Sequence, residues 1–167
     1  AAEAAYRQAN LVARSRRNDR LTAAIELYEE AAARQPTGPS ALPALLKKAA
    51  LQDQAKAKET VPPLGVVPAS LVTYRRIVEQ YGRAAGADVA YAALAERYDD
   101  LDRHELEAQT WEAMARQFPA NTRDAAWEAA ELYDKRLKDK ARAAEWYAMV
   151  PSTSRHYRDA QKRLGEK

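Results

Sequence analysis

The sequence predicts an all-α protein made of about four helical hairpins and a C-terminal capping helix. Helix-favouring residues fill almost the whole chain, and strand-like runs of Val, Ile and Thr are nearly absent. Prolines, glycines and capping residues interrupt the helical pattern at short intervals, so neighbouring helices are expected to form antiparallel hairpins. A large aromatic residue recurs in the second helix of each predicted hairpin, which indicates an internal repeat.

Composition limits the class of protein. The 167 residues suffice for one ordinary domain or for a short repeat array. Hydrophobic residues make up 47% of the chain, but many of them are alanine, which suits helices that approach each other closely. The net charge is only +3, with acids and bases interspersed. A nucleic-acid-binding protein usually has a larger and more segregated positive charge, so nucleic-acid binding is not favoured.

Turn and capping residues define the limits of nine predicted helices. Asp19 follows a turn and is expected to cap the second helix, and Ser40 is expected to cap the third. Asp102 and Glu105 have the spacing of a capping box. The predicted helices span residues 3–17, 20–35, 40–58, 69–84, 87–99, 103–118, 122–137, 140–149 and 154–165.

One connection, "KETVPPLGVVP" at 58–68, is longer and more apolar than the others. Its three prolines are incompatible with a helix interior, so we predict an irregular inserted loop. The expected outcome is that this loop folds back over the second or third hairpin, and the alternative is that it docks on a partner protein. The candidate contacts for docking are Val61, Leu64, Val66 and Val67.

The repeat is identified by four aromatic residues that lie 46, 37 and 36 positions apart, namely Tyr28, Tyr74, Trp111 and Tyr147. A small or aliphatic residue follows each of them three positions later, and a helix stop or a loop residue comes five positions after that. We expect these aromatic side chains to be largely buried between hairpins. The alternative is that they form the core stripe of an ordinary helical bundle.

The third hairpin resembles a tetratricopeptide repeat (TPR). In "YAALAERY" at 91–98 and "TWEAMARQFP" at 110–119, large aromatic, leucine, small and proline residues stand at the family's positions. "AIELYEEAAARQP" at 24–36 is similar to the second helix of another unit. The repeats are degenerate, because Glu107 and Ser70 stand where the family has alanine, and an inserted residue shifts Tyr133 out of register. Within the family, the chain looks most like bacterial cell-envelope members.

The resemblance implies that residues 1–167 form a single TPR-like domain, curved into a right-handed superhelix. The implied units are 3–36, 40–84, 87–119 and 122–150, with a cap at 154–165 and the inserted loop at 58–68.

In the family, the first helix of each hairpin lines an inner groove that binds a peptide. Carried over by position, the groove residues of this chain are Arg16 and Arg17 in the first hairpin, Lys47 in the second, and Glu96 and Asp99 in the third. A groove that is basic at one end and acidic further along would orient an extended segment of mixed charge.

No catalytic, cofactor or metal site is predicted. The chain has no cysteine, and "HELEA" at 104–108 begins like a zinc-protease helix but has Ala108 in place of the second histidine. His104 is therefore expected to be a surface residue. No glycine-rich phosphate loop occurs, and no apolar run approaches the roughly 18 residues of a membrane helix.

The expected function is therefore non-catalytic. The resemblance implies a scaffold that binds a peptide or a partner protein within a bacterial multiprotein assembly, without a small-molecule substrate. Two alternatives stay open: a regulatory TPR domain cut from a longer enzyme or transcription regulator, and a nucleic-acid-binding helical array. The compartment is open, with the periplasm or cell envelope favoured over the cytoplasm.

Overall fold

The computed structural model describes residues 1–120 and 123–165. These residues form nine α-helices and one two-stranded sheet, which confirms the predicted all-α class. The start of the seventh helix and of the fourth unit, predicted at residue 122, lies outside the described residues. The elements are α1 (Ala2–Ala13), α2 (Arg20–Arg34), α3 (Ala41–Gln54), β1 (Lys58–Val61), β2 (Gly65–Pro68), α4 (Ala69–Tyr81), α5 (Asp88–Asp99), α6 (His104–Gln117), α7 (Ala125–Lys135), α8 (Lys140–Ala148) and α9 (Tyr157–Gly165).

The chain divides into two compact units, Ala1–Tyr81 and Gly82–Lys167. Unit 1 contains the hairpins α1–α2 and α3–α4, and unit 2 contains α5–α6, α7–α8 and α9. The single domain and the superhelix implied by the TPR resemblance remain predictions. None of the described helices is both long enough and apolar enough to span a membrane.

In unit 1, the first helices of the two hairpins lie side by side. The Ser40 hydroxyl at the start of α3 donates to Glu3 of α1 at 2.6 Å, and Lys47 of α3 donates to Asn10 of α1 at 2.8 Å. Three alanines of α1, at positions 2, 5 and 9, are buried. Their small methyl side chains allow the neighbouring helices to pack closely against α1.

The second helices of unit 1 are joined in the same way. Glu29 of α2 accepts from Lys48 of α3 at 2.7 Å and from Arg76 of α4 at 2.6 Å. The hydroxyl of Tyr81, the last residue of α4, donates to the carbonyl of Pro36 at 2.6 Å. Side chains of α1 therefore contact α3, and Glu29 of α2 contacts both α3 and α4.

The segment at 58–68 is an antiparallel β-hairpin, so its prediction as an irregular loop is wrong. The pairing runs from Lys58 opposite Pro68 to Val61 opposite Gly65, and Gly65 has the positive φ of +82° that glycine favours. Pairing between β1 and β2 supplies backbone hydrogen bonds that a helix containing these prolines could not make. The first strand begins at Lys58, and α3 accordingly ends at Gln54, four residues before its predicted end at 58.

In unit 2, contacts between side chains join the second helices α6 and α8. The Trp146 indole N–H donates to Glu112 at 2.8 Å, and the Arg116 guanidinium lies 5.2 Å from the centre of the Trp146 ring. Arg142 donates to Glu105 at 3.0 Å. Here too, the second helices of successive hairpins pack against each other.

The residues before α9 attach it to the start of α7. The His156 ring stacks on Trp127 with the ring centres 4.6 Å apart, and the Ser154 hydroxyl donates to Asp124. Trp127 also lies 5.4 Å from the buried ring of Tyr147. The connection between α8 and α9 therefore packs against the start of α7.

Three capping predictions are wrong. Ser40 stands at the N-cap position of α3 but makes no capping hydrogen bond, because its hydroxyl donates to Glu3. Asp19 precedes α2 but makes no capping hydrogen bond, because its carboxylate binds Arg17 at 2.6 Å. Asp102 does not begin a capping box, since its φ of +54° places it in the turn and Arg103 is the N-cap of α6. A cap that does form is Asp139, which accepts from the backbone N–H of Arg142 at 3.0 Å.

Candidate functional site

A lysine, an asparagine and a tyrosine meet where the first helices of unit 1 face each other, and we call this surface the α1–α3 face. Lys47 donates to the Asn10 side-chain oxygen, and its ammonium lies 5.8 Å from the centre of the Tyr6 ring. The Asn10 amide donates to the Tyr6 carbonyl at 2.9 Å. These contacts hold the long lysine side chain in one position.

The same asparagine oxygen ties the α1–α3 face to the core. It accepts a second hydrogen bond, at 2.9 Å, from the hydroxyl of Tyr28, whose side chain is buried in unit 1. Tyr28 in turn lies 5.8 Å from Tyr6, ring centre to ring centre. The orientation of Asn10, and through it that of Lys47, therefore depends on a buried residue.

Lys47 has no acidic partner among the residues that the structure describes. Its side chain is half-buried, and no carboxylate within the described ranges lies at salt-bridge distance from its ammonium. The neighbouring Lys48, by contrast, is paired with Glu29. A partly desolvated cation without a counter-charge favours an anionic group from outside the chain.

Arg16 and Arg17 do not lie on the predicted groove. The predicted helix 3–17 ends at Ala13, so both arginines are in the connection to α2, where they are exposed. Arg17 is bound to Asp19. No hydrogen bond or ion pair of the described residues joins either arginine to Lys47, so the structure does not assemble the basic end of the groove as predicted.

Glu96 and Asp99 are exposed on α5 in unit 2. Asp99 is the last residue of that helix, and its carboxylate lies 3.9 Å from the His104 ring nitrogen Nδ1. Whether either residue shares one groove with Lys47 remains a prediction.

The β-hairpin exposes only part of its apolar surface. Val67 is 1% exposed and Val66 is 62% exposed, because successive residues of a strand point to opposite sides. Val61 and Leu64 are half-buried. Val67 therefore belongs to the core of unit 1 and is not available to a partner, which corrects its assignment as a docking contact.

His104 is not the isolated surface residue that we expected. Its Nδ1 atom lies 3.3 Å from the Glu107 carboxylate and 3.9 Å from that of Asp99, and its Nε2 atom lies 3.9 Å from Asp102. Burial raises the pKa of the Glu107 carboxyl, although hydrogen bonds from His104 and Trp111 act in the opposite direction. The one sequence signal for this cluster was Glu107, which stands where the repeat has alanine.

Unit 2 also contains an open cavity of about 540 Å³ between α7, α8 and α9. Its polar lining comes from Asp134, Lys140, Tyr147 and Arg163. Lys140 is paired with Asp134 and holds the pKa of that carboxyl below its usual range. Among these lining residues, no nucleophile stands beside a general base, so the cavity does not suggest a reaction.

The search for known relatives returned no matching protein-family model and no matching curated protein. The TPR resemblance therefore remains a prediction that rests on the residues quoted above.

Proposed function

We propose that the chain is a non-catalytic scaffold that binds an extended segment of a partner protein, as part of a bacterial multiprotein assembly. The observation that carries this proposal is Lys47 on the α1–α3 face, a half-buried cation that no carboxylate of the described residues pairs with. Stacked helical hairpins commonly present such a face to an extended peptide.

Lys47 is suited to an acidic side chain of the bound segment. Because Asn10 and Tyr6 already hold its ammonium, little side-chain freedom is lost when a carboxylate arrives. The half-exposed Tyr6 ring beside it offers an apolar surface to the residue next to that carboxylate. One cation and one aromatic ring together specify an acidic residue with an apolar neighbour.

Charge reversal at one position tests this proposal. We expect Lys47→Glu to weaken the binding of short acidic–apolar peptides by about tenfold or more, measured by fluorescence anisotropy at low salt. Arg16→Glu is the matched control, since it makes the same charge change in the same unit on an exposed residue outside the α1–α3 face. Thermal melting of both variants establishes that unit 1 is folded.

Three outcomes would count against the proposal. Equal loss of affinity in both variants would mean that only the net charge matters. Salt-dependent binding to random oligonucleotides, with no peptide binding, would favour the nucleic-acid alternative. A catalytic or DNA-binding module in the same gene would favour the regulatory-domain alternative.

A further inference from the structure

The turn between α5 and α6 brings together three groups of the kind that ligate metal ions. They are the Asp99 carboxylate at the end of α5, and the His104 imidazole and the Glu107 carboxylate in the first turn of α6. One ligand atom from each lies within 4.8 Å of the other two. The hairpin thus supplies one nitrogen and two oxygens around a single point.

Within residues 1–120 and 123–165, no lysine or arginine balances the carboxylates at this turn. His104 lies within 4 Å of Asp99, Asp102 and Glu107 alike, and no lysine or arginine in the described part of the chain pairs with any of the three. Even a protonated imidazole would leave a net charge of about −2. The carbonyl end of α5 adds partial negative charge at the same place.

Glu107 adds to the case for a cation, because hydrogen bonds from His104 and Trp111 supply its carboxylate with no full positive charge. Its side chain points into the cluster, and the residue is only 9% exposed. A buried carboxylate is costly unless a cation or several hydrogen bonds stabilise it. The TPR pattern has a small residue here, so packing does not require a carboxylate.

We propose that Asp99, His104 and Glu107 bind one divalent metal ion of the zinc class. An imidazole nitrogen favours zinc over magnesium or calcium, and zinc accepts carboxylate oxygens as its other ligands. Bonds of about 2.0–2.1 Å in a tetrahedral site place neighbouring ligand atoms roughly 3.3 Å apart, close to the separation of His104 and Glu107. The exposed side chain of Asp99 needs to move by only about 1 Å to complete this geometry.

Asp102 lies on the other side of the imidazole. Its carboxylate is exposed and lies 3.9 Å from the His104 nitrogen that does not face the ligand set, too far for a direct hydrogen bond. A small movement of this side chain would let it accept from that nitrogen and favour the tautomer that leaves the other nitrogen free for a metal. Three protein ligands would leave a fourth position open to water or to a carboxylate of a partner.

Zinc titration of the tag-free, chelator-treated full chain tests the proposal. We expect calorimetry to show one zinc ion per chain, with a rise in melting temperature that magnesium does not reproduce. Asp99→Asn and His104→Gln should each weaken zinc affinity by more than about tenfold. Asp99 is exposed, so its substitution leaves the core packing unchanged and keeps the test valid if a buried variant fails to fold.

His156→Gln is the matched control, because it removes the other histidine of the same unit. Zinc binding that is lost in Asp99→Asn and His104→Gln but kept in His156→Gln supports the site. No zinc binding by the wild-type chain, or binding that survives both ligand substitutions, would overturn it. Peptide binding at Lys47 does not enter this test, because Lys47 lies in the other unit.

Discussion

Replacement of Tyr147 should destabilise unit 2 more than replacement of Trp111, although the repeat treats the two positions as equivalent. Tyr147 is 3% exposed, and its hydroxyl lies 3.1 Å from Glu131 and 3.3 Å from Asp134. Trp111 is less deeply buried than Tyr147, because part of its side chain is exposed to solvent. The structure therefore predicts unequal free energies of unfolding.

The expected magnitudes follow from burial and hydrogen bonding. Tyr147→Ala removes a buried aromatic ring and should lower the free energy of unfolding by about 3–5 kcal/mol. Tyr147→Phe keeps the ring and should cost about 1–2 kcal/mol, at the low end for hydrogen bonds to charged groups, because Glu131 and Asp134 keep their lysine partners. Trp111→Ala should cost roughly 2 kcal/mol, since part of its ring is already in water.

Urea unfolding followed by tryptophan fluorescence measures these differences. All three tryptophans lie in unit 2, so the signal reports on that unit, and Trp111→Ala still leaves Trp127 and Trp146. Variants that change only stability shift the midpoint at constant m-value. Equal midpoint shifts for Tyr147→Ala and Trp111→Ala would refute the reasoning from burial and support equivalent repeat positions. A wild-type midpoint for Tyr147→Phe would show that the hydroxyl contributes nothing.

Three further predictions concern single side chains. Burial raises the pKa of Glu128, so the ionised carboxylate opposes folding at neutral pH. Glu128→Gln should therefore raise the melting temperature at pH 7. This gain should vanish below about pH 4, where the carboxyl is protonated in both the folded and the unfolded states. Asp139→Ala should lower the stability of unit 2 by about 1 kcal/mol in the fluorescence assay, because the N-cap of α8 is lost, and an unchanged midpoint would contradict that role. Val67→Ala should cost about 1.5–2.5 kcal/mol by thermal melting while Val66→Ala stays within about 0.5 kcal/mol, and equal effects would mean that the β-hairpin does not pack on unit 1.

Features that depend on local periodicity were predictable from the sequence. The helical spacing of apolar residues and stops such as Pro36 and Pro119 located the helices to within a few residues at most ends. The burial of Tyr28, Tyr74 and Tyr147 also agrees with the aromatic pattern. These signals are carried by residues that are close in sequence, and they do not depend on how the hairpins meet.

Features that depend on competition between side chains were not predictable. Asp19 could cap α2 or bind Arg17, and only the folded turn shows that it binds the arginine. The predicted basic end of the groove failed for a different reason, because α1 ends at Ala13 and leaves Arg16 in the connection to α2. The sequence also places His104 apart from any second histidine, and the cluster forms only because the α5–α6 turn brings Asp99 to it.

The Asn10 side-chain oxygen accepts two hydrogen bonds, one from the surface cation Lys47 and one from the core hydroxyl of Tyr28. A single atom therefore links the position of this cation to the folded core. If Lys47 binds a partner as proposed, a substitution of Asn10 that removes this acceptor alters binding and stability together. In an engineered or evolving version of unit 1, the proposed ligand preference would be varied at Tyr6 and Lys47, whose side chains are partly exposed, with Asn10 kept unchanged.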